Sequence, residues 1–361
     1  MIVPKVGLSY ALVQVILNRC WGQCCCETVD VRSVIRNTRR SGDRILLDAA
    51  IGRGEVVSAP TKKASTTAVD VDGTPEDRVV LHARNVEFDW NALPLHYMDG
   101  NPLATHLINV MHLLLPEGEE WFVRTFKEAL PLIHDDQLRD DVIGFIGQEA
   151  MHAQAHTEVH DQLRAHGIDV DPYVDQMKFL FGRALGNRSG HGQNSLVERL
   201  ALIAAAEHLT AFLGDWVLNA KELDDADVHP VMLDLLRWHG AEEVEHRSVA
   251  YEVMRYFDVR PARRIRTYVV IAPTLVWFWT RGVRYLMSQD PTLAHLSPKQ
   301  RTPSFREFRR VTESGLFPTP MSMVKASLRY FKSTYHPSQE GSTAQAVKYL
   351  ATSPAARSAD R

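Results

Sequence analysis

Along most of the chain, apolar residues recur at intervals of three and four, the spacing of one face of an α-helix. From about Asn101 to about Leu286 the pattern is nearly continuous, with no alternating strand block and no glycine-rich phosphate loop. Four long helices are predicted. The first starts after Pro116, where PEGEEWFVRTFKEAL puts acids in the first turn, as the helix dipole favours. The second runs from about Asp136 to Ala165 and stops at Gly167. The third is SLVERLALIAAAEHLTAFLGDWVL, capped by Asn194 or Ser195. The fourth follows Pro230 and continues through VMLDLLRWHGAEEVEHRSVAYEVMRYF. After it comes an apolar helix, Tyr268–Trp279, enclosed by Arg266 and Arg281. It is too short to cross a bilayer, and Pro273 predicts a kink in it.

The ends differ from this middle. Residues 1–78 have no apolar period, and SAPTKKASTTAVDVDGTPEDR is linker chemistry, so they read as a poorly ordered leader. Residues 79–290 read as the helical domain, and 291–361 as a basic, partly helical extension. From Ser297 onward there are 11 Lys/Arg against 4 Asp/Glu, although the whole chain carries a net charge of only -3. The stretch MSMVKASLRYFKSTY reads as a basic amphipathic helix, fit either to pack on its own bundle or to touch a membrane surface. The near-neutral balance argues against nucleic acid as a partner. All four cysteines (Cys20, Cys24, Cys25 and Cys26) crowd into the leader, unlike the spread of a disulfide-held secreted fold. The expected location is therefore the cytoplasm, with peripheral membrane contact.

Candidate chemistry lies on the four predicted helices. Glu149 and His152 form E-x-x-H, and Glu243 and His246 repeat it. A spacing of three puts each pair on one helix face. The helices before them each carry a glutamate on an apolar stripe. Glu119 lines up with Phe122, Val123 and Phe126, and Glu207 with Leu200, Ile203 and Ala211. A carboxylate on such a stripe costs several kcal/mol unless it is paired or ligating. One glutamate from each of two helices plus Glu-x-x-His from two others is the two-metal carboxylate pattern of ferritin-like four-helix bundles. The predicted fold is thus all-α, a ferritin-like four-helix bundle with extra helices. His239, one turn before Glu243, joins as a seventh ligand. His156, His160, Glu242 and Glu245 are expected behind the ligands or in solvent, and Asp215 and Arg247 behind the ligands as supporting partners. His208 points away from Glu207 and is not expected to ligate.

The motifs LPEGEEWF, GFIGQEAMHAQAH, AAAEHLTA and WHGAEEVEHRSVAYEV resemble a bacterial family of ferritin-like proteins, the predicted metal-dependent hydrolases. The H-x-x-x-E-x-x-H run is also similar to that of p-aminobenzoate N-oxygenase-type di-iron enzymes. Carried over by motif, this likeness implies seven ligands: Glu119, Glu149, His152, Glu207, His239, Glu243 and His246. The leading expectation is an enzyme with two iron ions, manganese being the alternative, that activates O2 to oxidise a small organic substrate. It would need an electron donor and is expected to form a homo-oligomer. Metal-dependent hydrolysis is the second expectation, and non-enzymatic ferritin-like metal binding the third.

Overall fold

The computed structural model describes residues 79–186, 193–258 and 260–359. The predicted leader and its cysteines lie outside the described residues. Among those residues there is no strand, and one isolated bridge, Met98 to Val228, is the whole of the β structure. The helices, in chain order, are α1 (Pro102–Ala129), α2 (Asp136–Ala165), α3 (Asp171–Phe179), α4 (Gln193–Asn219), α5 (Glu222–Asp225), α6 (Pro230–His246), α7 (Val249–Phe257) and α8 (Pro261–Gln289). Short helices follow: α9 (Pro298–Arg301), α10 (Phe305–Glu313), α11 (Pro320–Tyr330), α12 (Thr343–Leu350) and α13 (Pro354–Ala359).

Two helix pairs, α1 with α2 and α4 with α6, meet through α1–α4 and α2–α6 contacts to make a four-helix core. The fold is therefore the predicted all-α bundle with extra helices. The α2 boundaries fall where the sequence places them. Asp135 accepts from Leu138 N at 2.8 Å at the start. At the end Gly167 takes φ +84°, and Ile168 N reaches back to Leu163 O at 3.0 Å.

Four helices differ in their bounds from expectation. Helix α1 begins fourteen residues before Pro116, at Pro102, because Asn101 caps it by accepting from Ala104 N and Pro102 suits the first turn. Helix α4 begins at Gln193, so Asn194 and Ser195 lie inside it rather than at its cap. The fourth predicted helix ends at His246, and two turn residues, Arg247 and Ser248, separate it from α7. The apolar helix is longer than predicted and includes Pro273 within α8.

Glycines allow two close approaches that set up the centre. A Cβ on Gly214 of α4 would lie 2.5 Å from Gly240 O of α6, so these helices touch backbone to backbone. A Cβ on Gly144 would lie 2.4 Å from Leu81 Cβ, and one on Gly147 3.0 Å from Ala83 Cβ. The extended segment before α1 therefore lies directly on α2. Helix α8 covers α1 and α4, while α11 rests on α4 and α12 and α13 rest on α6. The C-terminal segment is fastened by polar ties: Asp234 accepts from Tyr349 Oη, Ser353 Oγ and Ala355 N at 2.8–3.0 Å. No helix among the described residues is long and apolar enough to cross a membrane.

Candidate metal centre

All seven residues singled out by the motifs are buried, and the structure brings them into one cluster. Potential ligand atoms lie within 4.8 Å of one another in four overlapping groups: Glu149, Glu207 and His246; Glu119, Glu149 and His152; His152, His239 and Glu243; and Glu119, His156 and His239. Glu119, Glu149, His152 and His239 each belong to two of them, and Glu149 joins the Glu207 and His246 group to the rest. Glu243 also faces two ways, with Oε1 2.9 Å from His239 Nε2 and Oε2 3.4 Å from His246 Nε2. His246 Nε2 is also 3.3 Å from Glu149 Oε1 and 3.4 Å from Glu207 Oε2, near enough to attract but without hydrogen-bond geometry.

The unmet polar atoms are the informative feature. Both carboxylate oxygens of Glu119, Glu149 and Glu207 have no hydrogen-bond partner. Neither do Glu243 Oε2, His152 Nδ1 and His246 Nε2. Buried polar atoms are ordinarily satisfied, and each that is not costs about 1–3 kcal/mol, more when charged. Here such atoms come from all four core helices and converge. The donor set, carboxylate oxygen plus imidazole nitrogen, is one that binds divalent transition metals. The residues present therefore fit a metal centre.

Electrostatics point the same way. Burial first, then the neighbouring carboxylates, push Glu119 and Glu149 well above the usual carboxylate range. Burial and Glu243 raise Glu207 to about 7. Burial acts against the charge of Glu243 too, but His246 and the His239 hydrogen bond prevail and hold it well below the usual range. For His246, burial is outweighed by Glu243, Glu207 and Glu149, so its imidazole is pushed well up. Without cations, the cluster takes up protons instead.

The outer nitrogens of the histidines are all engaged. His152 Nε2 lies 2.9 Å from Glu242 Oε2, and His246 Nδ1 lies 3.1 Å from Gln148 Oε1. Gln148 Nε2 donates to Glu245 at 3.0 Å. Both chains end on one cation: Arg84 donates to Glu242 at 2.6 Å and to Glu245 at 3.0 and 3.3 Å. His239 Nδ1 meets His156 Nε2 at 2.9 Å, and His156 Nδ1 meets His112 Nδ1 at 2.8 Å. Such partners fix ring orientation and tautomer. The cluster is walled by rings, with Trp238 edge-on to His152 at 5.1 Å and Phe145 edge-on to His246 at 4.9 Å.

The sequence reading missed Arg84, Gln148 and His112. Gln148 had a signal, since it adjoins Glu149. Arg84 is 158 residues from Glu242 and had none. Glu242 and Glu245 are buried against Arg84 rather than in solvent. His160 reaches His112 O at 2.5 Å. His208 turns to Tyr335 Oη and Ala326 O, as its position beside Glu207 predicts. Arg247 binds Pro337 O and Thr343 Oγ1 and so ties down the C-terminal segment. Asp215 accepts from Asn219 Nδ2, at its own end of α4.

A family model described as "Predicted metal-dependent hydrolase" matches residues 82–341. No curated protein and no solved structure matches the chain. These comparisons lend no support to the expected ferritin-like kinship or to the N-oxygenase likeness. The expectation of an O2-activating oxidoreductase is corrected by the family match, which favours the second expectation, hydrolysis. The ligand motif alone could not separate the two, because carboxylates and imidazoles that hold a redox ion also hold a Lewis acid. The matched region takes in all seven clustered residues and Arg84, and the chain belongs to the family of predicted metal-dependent hydrolases.

Proposed function

We propose that the protein is a hydrolase whose buried cluster holds two divalent ions, iron or manganese, and acts on an ester or amide of a small organic molecule. The observation that carries this reading is the convergence of unpartnered carboxylate and imidazole atoms from four helices, in a chain of this family. Glu207 and His246 would serve one ion, and Glu119, His152 and His239 the other. Glu149 and Glu243 face both sets and would be shared. Four carboxylates match the charge of two divalent ions.

Bound there, the ions would supply Lewis acidity and lower the pKa of a bound water. The chain's own residues do the rest. Glu242 and Gln148 hold His152 and His246 in one orientation, and Arg84 anchors both supports. Trp238 and Phe145 limit water around the imidazoles.

The test begins with protein stripped of metal and reloaded with manganese, iron(II) or zinc. Chromogenic esters and anilides are then assayed against metal content. The expected result is hydrolysis that needs about two ions per chain, as the ligand number implies. Hydrolysis that persists without metal would overturn the reading, and so would full loading with no hydrolysis of either class.

A further inference from the structure

Helices α8 and α11 carry an exposed apolar surface that the metal centre does not use. Val269 and Val276 on α8 and Met321, Val324 and Leu328 on α11 are 51–64% exposed, and Phe331 follows at the end of α11. On α11 these positions are spaced i, i+3, i+7 and i+10, a single stripe. The two helices run side by side in opposite directions. Arg264 donates to Tyr330 O and Lys332 O, Tyr268 Oη donates to Ser327 Oγ at 2.7 Å, and the Tyr268 ring meets Phe331 edge-on at 5.3 Å. Further along α8, Trp279 packs on Phe317, just before α11 begins. The exposed stripes therefore border one seam.

The charge of these segments is one-sided. Residues 261–289 contain Arg263, Arg264, Arg266, Arg281 and Arg284, and residues 314–339 contain Lys325, Arg329 and Lys332. Neither segment contains an Asp or Glu. Arg263 and Arg266 pair with Glu198 and Asp258, and Arg264 and Arg329 are tied down by Tyr330 O and Glu340, but Lys325 and Lys332 stand exposed next to Val324 and Phe331.

We infer that this face docks on an anionic lipid bilayer. Exposed apolar side chains flanked by cations, with aromatic residues such as Trp277 among them, are the composition of helices that lie in the headgroup region. A bilayer supplies both what the stripe lacks, apolar cover, and what the cations lack, counter-charge. A second copy of the same face would bring cations against cations with no acid to meet them, which argues against a symmetric dimer there. The inference is independent of the proposed hydrolysis.

Full-length, metal-loaded protein is sedimented with vesicles of phosphatidylcholine alone and with vesicles also holding ~30% phosphatidylserine, a cytoplasmic-leaflet-like surface. Binding is expected to the anionic vesicles only, and to weaken as salt rises. Lys325→Ala with Lys332→Ala should reduce it by about 25-fold, at roughly fivefold per cation near the surface. Val324→Glu with Leu328→Glu should abolish it. Both pairs are exposed, so the melting temperature should hold. No binding to the anionic vesicles would overturn the inference, and so would binding that neither pair of variants changes. A dimer by light scattering that Leu328→Glu splits would assign the face to a second copy instead.

Discussion

Among the described residues, two clusters of histidine and carboxylate bring ligand-type atoms together, and they differ in what their atoms touch. In the first, Glu119, Glu149, Glu207, Glu243, His152 and His246 leave oxygens and nitrogens facing one another with no hydrogen bonds between them. The second is His96, His106 and Asp290, whose ligand-type atoms are as close together. Its facing atoms are bonded to one another. Asp290 Oδ2 meets His96 Nε2 at 2.7 Å and His106 Nε2 at 3.1 Å, while Oδ1 accepts from Thr292 N and Oγ1. Asn109 Nδ2 lies 3.2 Å from His106 Nδ1, and Tyr97 Oη donates to Asn109 Oδ1 at 2.5 Å. Residue type and proximity are thus the same in both. What separates them is whether the buried groups already satisfy one another, which one carboxylate between two histidines achieves and four carboxylates cannot.

The sharpest break of this comparison is Glu149→Ala. Glu149 is grouped with Glu207 and His246 on one side and with Glu119 and His152 on the other, so its loss should empty both metal positions rather than one. Metal analysis of the purified variant should find well under one ion per chain. A variant that keeps two ions would remove the idea of a shared carboxylate. The next effect is smaller and comes from outside the core helices. Arg84→Ala frees Glu242 and Glu245, which support His152 and His246, and supporting groups of this kind are worth about 10–100-fold in metal affinity. Competition with a chelator measures it. Arg84→Lys should recover only part, because one ammonium cannot donate to both carboxylates in the way the guanidinium fork does.

A third expectation concerns pH. Ligation needs deprotonated carboxylates and neutral imidazoles, yet burial raises Glu207 to about 7, pushes Glu119 and Glu149 up, and the surrounding acids raise His246. These groups hold protons at neutral pH that a metal must displace. Affinity should therefore rise with pH through this range, by about tenfold between pH 8 and 6 from Glu207 alone and more from its neighbours. Titration in two buffers of different ionisation heat counts the protons released. Affinity that is flat over this range would show that the cluster is already fully ionised.

Much of the centre was legible in the sequence because its signals are local. Glu149–His152 and Glu243–His246 are three apart on one helix, and Glu207 interrupts an apolar stripe. The start of α1 was misread because the acids after Pro116 imitate a first turn, while the true cap, Asn101–Pro102, stands fourteen residues earlier. Arg84 was illegible for a different reason. It lies in irregular chain, and its place depends on Gly144 and Gly147 letting that chain lie against α2. Neither periodicity nor spacing reports a contact of that kind. Hydrolysis against oxygen activation was not legible either, since both draw on the same donor atoms.

The smallest expected effect on metal binding is none, from Asp290→Asn, and it tests the other side of the comparison. At Asp290 burial acts against the charge, but hydrogen bonds from His106, Thr292 and His96 prevail and hold the carboxyl well below its usual range. Its stabilisation is therefore complete above the ordinary carboxylate pKa of about 4 and is lost as pH falls through the depressed value. The amide keeps the size of the side chain but gives up charge-assisted bonds to two rings. That should cost about 2 kcal/mol of stability near neutral pH, seen as a lower melting temperature. The difference from the unmodified protein should shrink once the solution is acid enough to protonate Asp290. Metal content should not change at any pH where the protein is folded. If Asp290→Asn instead lost an ion, satisfied bonding would no longer distinguish the two clusters, and His96, His106 and Asp290 would have to be counted as a metal site as well.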